Sequence, residues 1–223
     1  MVHCEKCHTI LLSRSAWSGT PCGNALCNPV LIAIGLLITL LWLTGTDYPT
    51  WFSTAAWIHF LLGPATVALA IPLYKHIGEI RRTVLAIGVA VTTGAITASA
   101  SAVATAWLLG ASPVVIRSLA AKSVTMPIAI GVSTSIGGVP QLTAVLVVAT
   151  GVFGAVCAPG LTALIGVRCW RARGLAAGVA GHGVATARML TLDATAGAFA
   201  GLAMGLCGLL TAILLPLAQR LLP

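Results

Sequence analysis

Apolar residues run along this chain in blocks too long for strands, broken by short polar or basic stretches. Uncharged segments extend from Ser15 to Thr46, Tyr48 to Tyr74, Thr83 to Ile116, Ser123 to Val167 and Ala194 to Gln219. Each exceeds the roughly 20 residues that carry a helix across a bilayer core. The pattern predicts an all-α polytopic membrane protein with about six or seven membrane segments.

The first span opens at Asn28-Pro29 and reads NPVLIAIGLLITLLWLTG. Proline is tolerated there because the first helical N–H has no partner inside the helix. A loop with tryptophan and tyrosine follows (TDYPTWFST), suited to the membrane interface. The second span, AAWIHFLLGPATVALAIPLY, contains His59, Gly63-Pro64 and Pro72 and ends at a basic loop, Lys75–Arg82. A third covers about Val84 to Gly110 and is rich in small residues that permit close helix packing in lipid. A long span from Val139 to about Val167 and a last one from Ala194 to Ala218 complete the set.

Residues 120–140, AAKSVTMPIAIGVSTSIGGVP, interrupt this pattern with a lysine, hydroxylated residues, prolines and glycines. Cytoplasmic loops are enriched in Lys and Arg. With 75–82 and RCWRAR (168–173) both in the cytoplasm, the 114–138 segment must return to the side it entered. It is also too short for two crossings of about 20 residues each. A re-entrant or broken element is therefore expected. Irregular backbone at membrane depth survives only when buried in protein or lining a wet cavity. GLAAGVAGHGVATARML at 174–190 has the same character. Two interrupted segments entering from opposite faces fit the design of secondary transporters. An inverted repeat relating them is a conjecture, because no internal repeat aligns.

Composition agrees: 58% of residues are hydrophobic and 7% charged, with a mean hydropathy of +1.03. The net charge of +8 is dispersed between apolar runs and follows the loop bias, so it is no nucleic-acid signal. The first 27 residues form a polar, cysteine-rich head, and residues 28–223 the transmembrane domain. The head contains HCEKCH, in which Cys4 to His8 has haem-attachment spacing and His3, Cys4, Cys7 and His8 could crowd around zinc. No apolar export signal precedes it. No cofactor and no metal are expected. Cys157 and Cys207 lie in apolar runs, where cysteine acts as a small hydrophobe.

Catalysis has thin material. The acids are Glu5, Asp47, Glu79 and Asp193, none of them within a span, and no nucleophile or phosphate motif occurs. The chain reads as a non-enzyme. Anion binding is better supplied. A cation near the membrane interior is a functional hypothesis by default. Lys122 and Arg188 are the candidates, beside Ser123, Thr125 and Thr186. Half-helix N-termini add backbone donors, and arginine can grip a carboxylate with two bonds. Gly181 and Gly183 around His182 let the backbone bend or approach a substrate closely. The candidate substrate-binding set is Lys122, Ser123, Thr125, Pro127, His182, Gly183, Thr186 and Arg188.

Four blocks carry a resemblance: NPVLIAI; LLGPATVALAIPLYK; KSVT-x-PIA with GG-x-P-x-LTA; and GHG-x-x-TAR with GAF and LAMGL-x-GLLTA. In order and spacing they resemble the LrgB/CidB family over about residues 28–218. The resemblance implies a multi-pass protein of the bacterial inner membrane, working with a small LrgA/CidA-like membrane protein. It also implies a small monocarboxylate substrate of the glycolate, glycerate, pyruvate or lactate class. Its alternative is a non-transporting regulatory subunit of a holin/antiholin-like system that modulates murein hydrolases and autolysis. A homo-oligomer is left open. The asparagine usual in the MGL-x-G block of that family is Cys207 here.

Overall fold

A computed structural model describes residues 29–47, 50–51, 53, 74 and 77–221 of the chain. The head, the second span with Gly63-Pro64, and Lys75 lie outside them. The chain divides into two units, Met1–Ile71 and Pro72–Pro223. In the first, α1 (Pro29–Thr44) carries its proline at the first position, as the sequence requires. Leu36, Ile38, Trp42 and Leu43 on it are exposed, which suits a lipid-facing helix.

All described elements of the second unit are also helical. A short α2 (Ile77–Arg82) ends in Arg81 and Arg82 and leads into α3 (Val84–Leu108). Then come α4 (Pro113–Ala120), α5 (Met126–Ser135), α6 (Pro140–Leu164), α7 (Trp170–Leu192) and α8 (Ala194–Leu221). Three are long and apolar enough to cross a membrane: α3, α6 and residues Ala194–Arg220 of α8. The predicted bounds of the α3 and α6 spans hold to within three residues.

The 113–139 segment folds back on itself. Ser118 near the end of α4 accepts a hydrogen bond from the Val139 backbone N–H, 2.8 Å away and 21 residues on. Thr143 on α6 donates to the Ser118 carbonyl at 3.2 Å, and its hydroxyl lies 2.7 Å from that of Ser133 on α5. All three side chains are fully buried. Gly138 makes this possible, since a Cβ there would fall 2.5 Å from Ser133 Oγ and 3.1 Å from Ser118 N. Buried hydroxyls that satisfy one another in a low-dielectric interior form a costly junction to open. Helices α4 and α5 are therefore the arms of a re-entrant hairpin, with residues 121–125 at its tip.

A second hairpin lies within α7, where Gly181 and His182 have non-helical backbone angles. The register against α8 shows how far the chain turns. Gly174 packs on the Ala196 carbonyl and Gly178 on that of Ala200, so the first arm runs alongside α8 in the same direction. Beyond the bend, Gly183 lies near Met204, Thr186 near Gly201 and Leu190 against Gly197. The register now runs backwards. Both arms thus pack on the first half of α8, and side chains at Gly174 or Gly178 would collide with its backbone.

At its mouth this hairpin is tied to the end of α6. Arg173 donates to the Pro159 carbonyl at 2.8 Å and to Thr162 Oγ1 at 3.1 Å, with its guanidinium 4.6 Å from the Trp170 ring centre. Helix α6 leaves the mouth of the first hairpin and reaches the mouth of the second about 37 Å later. The two hairpins therefore enter from opposite ends of a membrane-spanning helix. Each is followed by a span, α6 or α8, so one motif occurs twice in opposite senses.

Candidate functional site

The hairpin tips meet. Gly181 is about 16 Å along α7 from its start, and Cys207 about 20 Å along α8. Both depths are near the middle of a hydrocarbon core about 30 Å thick. There the Cys207 thiol donates to the Ser123 carbonyl at 3.5 Å, and the His182 side chain lies beside the Lys122 backbone. The Lys122 and Ser123 carbonyls lie just past the end of α4, where intrahelical donors run out. The Cys207 thiol of α8 supplies a donor to the second of them.

On the first tip, Lys122 is half-buried and its Nζ lies 3.2 Å from Ser123 Oγ. Ser123 is only 3% exposed. Thr125 takes an extended conformation as the cap of α5, and Pro127 sits in that helix's first turn. Proline fits there because those N–H groups have no intrahelical acceptor. The N-terminus of α5, with its partial positive charge, faces the junction.

On the second tip, His182 has φ 41° and ψ −128°, the sole positive φ outside glycine among the described residues. These angles resemble the first corner of a type II′ turn, normally a glycine position. Such a conformation costs about 1–3 kcal/mol and persists only where surrounding structure enforces it. The enforcing contact is α6: a Cβ at Gly181 would lie 3.0 Å from Gly154 Cα. His182 is 3% exposed and its Nε2 has no hydrogen-bond partner.

Thr186, one turn later, is 1% exposed with its hydroxyl unpaired. The bend explains this. Helical threonines elsewhere return their hydroxyl to the carbonyl four residues back, as Thr93 does to Val89 and Thr134 to Ile130. For Thr186 that carbonyl belongs to His182, whose backbone has left the helix. The second arm begins at Gly183, so a second helix N-terminus faces the junction. A lysine, two such termini and small hydroxyls at mid-depth can hold a small anion.

The structure places Lys122, Ser123 and Thr125 at the first tip and His182 and Gly183 at the second, with Lys122 beside His182, Thr186 buried on the second arm and Pro127 exposed. Arg188 stands apart. It is exposed and lies about 200° around the helix from Thr186, on the opposite face. Sequence reading missed Cys207, whose thiol in an apolar run reads as a small hydrophobe until the first tip is placed against it. It also missed the Ser118–Ser133–Thr143 junction. Asp193, the nearest following acid, caps α8 through the Ala196 N–H at 2.9 Å.

A family model described as the LrgB-like family matches residues 14–221. The chain is 33% identical over 194 residues to an uncharacterized protein of Haemophilus influenzae, covering 87% of this chain and 84% of that one. It is 32% identical over 193 residues to the holin-like protein CidB of Staphylococcus epidermidis, covering 86% and 84%. To the uncharacterized protein YwbG of Bacillus subtilis it is 33% identical over 184 residues, or 82% of each. No solved structure matches.

Proposed function

The chain belongs to the LrgB-like family of multi-pass bacterial membrane proteins, and on that premise we propose that it carries small monocarboxylates across the membrane. The observation behind this reading is the tip-to-tip meeting of two opposed hairpins at mid-depth. Discontinuous helices whose N-termini face one point are how secondary transporters bind anionic groups away from water. Lys122 compensates the substrate's charge, and Ser123, Thr125 and the first turn of α5 supply hydrogen bonds. A site between two hairpins can be opened from either side by moving one while the other stays closed. The proposed partner is a small LrgA/CidA-like membrane protein.

A second reading takes its support from the name of the Staphylococcus relatives, holin-like protein CidB. In that reading the chain tunes a holin-like partner and murein hydrolases without moving a solute. Proteoliposomes separate the two. Radiolabelled glycolate, glycerate, lactate and pyruvate are offered with and without the partner. Saturable uptake whose apparent affinity Lys122→Gln weakens supports the carrier. No uptake in any combination, together with altered lysis in cells lacking the protein, supports the regulatory subunit.

A further inference from the structure

The two hairpins lean on α8 in different ways, and the second does so backbone to backbone. Gly174 and Gly178 of its first arm lie against the Ala196 and Ala200 carbonyls. On the other arm, Leu190 Cα would stand 2.7 Å from a Cβ at Gly197. Ala177 and Ala185 on the arms, with Ala196 and Ala200 on α8, are each no more than 1% exposed. Small residues bring helix backbones close in lipid, and close-packed backbones cannot slide without collision.

The first hairpin meets α8 through side chains. At its tip the Cys207 thiol, a weak donor, bonds the Ser123 carbonyl at 3.5 Å. Beside it the end of the Ile128 side chain lies 2.8 Å from where a Cβ on Gly208 would stand. Val124, Ala129 and Val132 of the hairpin share an apolar cluster with Phe199 and Ala203 of α8. Such contacts are non-directional and can shear or part. The strong bonds of this hairpin are at its mouth, where Ser118 and Ser133 join Val139 and Thr143 at the start of α6. Ser133 is about 10 Å along α5 from the tip. Gly110 and Gly137, with φ of 71° and 72°, turn the chain at either end of the hairpin. An element anchored at one end and lightly held at the other is built to hinge.

We propose that the first hairpin is the gate of the site. Its tip swings off α8 about the hydroxyl junction at its mouth, while the second hairpin and α8 stay together as one body. As a gate for solute, it rests on the carrier reading above.

The thiol of Cys207, buried under the first tip, reports the motion. The full chain is placed in sealed vesicles with Cys207 as its only cysteine. Two further proteins lack Cys207 and carry instead Ala200→Cys, under the second hairpin, or Ser112→Cys, exposed at the first mouth. Ala196→Cys takes the place of Ala200→Cys should that variant not fold. A small charged methanethiosulfonate is added from the side of the first mouth. An open state populated at about 0.1–10% gives Cys207 about that fraction of the labelling rate at 112. The cysteine at 200 should label at least about tenfold more slowly than Cys207. Ile128→Ala should speed labelling at 207 and leave that at 200 unchanged. Cys207 labelling no faster than the cysteine at 200 overturns the assignment, as does Ile128→Ala speeding both alike. No solute takes part in this measurement, so the carrier reading is judged apart from it. Lactate uptake that stops once Cys207 is modified supports both. Rapid labelling of Cys207 in a protein that takes up none of the four acids supports the moving hairpin and overturns the carrier.

Discussion

The unusual residue is His182, whose backbone adopts angles that suit glycine. If surrounding packing enforces strain there, His182→Gly relieves it and His182→Ala does not. The glycine variant should be the more stable of the two by about 1 kcal/mol, a few degrees in melting temperature in detergent. Neither should transport. An alanine variant melting at or above the glycine one would show that the bend is unstrained. The two cations should separate cleanly. Lys122 lies in the junction and Arg188 on an exposed face. Losing a charged hydrogen bond costs about 1.5–3 kcal/mol, so Lys122→Gln should weaken apparent affinity roughly 10- to 150-fold. Arg188→Gln should change it little, and equal losses would place Arg188 in the site. Here the sequence was only half legible. Both cations sit beside threonine or serine in interrupted segments, and which one faces inward depends on helix phase after a bend. That phase is set by Gly181 against Gly154, a contact with no local signature.

At the level of elements, each hairpin is held by a different device. The first depends on hydroxyls: Thr143→Val leaves the Ser118 carbonyl and Ser133 hydroxyl short of a partner. It should cost about 1–3 kcal/mol, whereas Thr105→Val on α3, bonded within its own helix to Ser101, should cost little. Thermal unfolding in detergent compares them. The second hairpin depends on glycine. Gly178→Val would press a side chain into the Ala200 carbonyl, and overpacking of this kind costs about 1–3 kcal/mol or more. Wild-type melting in Gly178→Val would contradict the parallel first arm. The first hairpin was readable in advance, because proline, glycine and hydroxyls cluster at 120–140 and charge bias forbids a full crossing there. The second was readable only as an interruption. Its arms contain no proline, and nothing in the sequence of 170–192 distinguishes a bend from a reversal. The reversal emerges from two registers on α8, which are tertiary facts.

For the whole molecule, the order of spans and hairpins places the site. Long apolar runs gave α3, α6 and α8 almost to their ends, because crossing a bilayer fixes both length and composition. Family membership adds a bacterial multi-pass setting, and the hairpins add a meeting point at mid-depth. Opposed entry is the claim on which the site and the carrier reading both depend. Single cysteines at the two mouths test it most directly, in a background without other cysteines. The positions are Ser112→Cys and Ser135→Cys at the first mouth, and native Cys169 and Thr191→Cys at the second. An impermeant thiol reagent is applied to sealed right-side-out and inside-out vesicles. The account predicts that residues 112 and 135 label from one side and residues 169 and 191 from the other, with 169 and 191 cytoplasmic. Labelling of 112 and 135 from opposite sides, or of 169 and 191 from opposite sides, would contradict it.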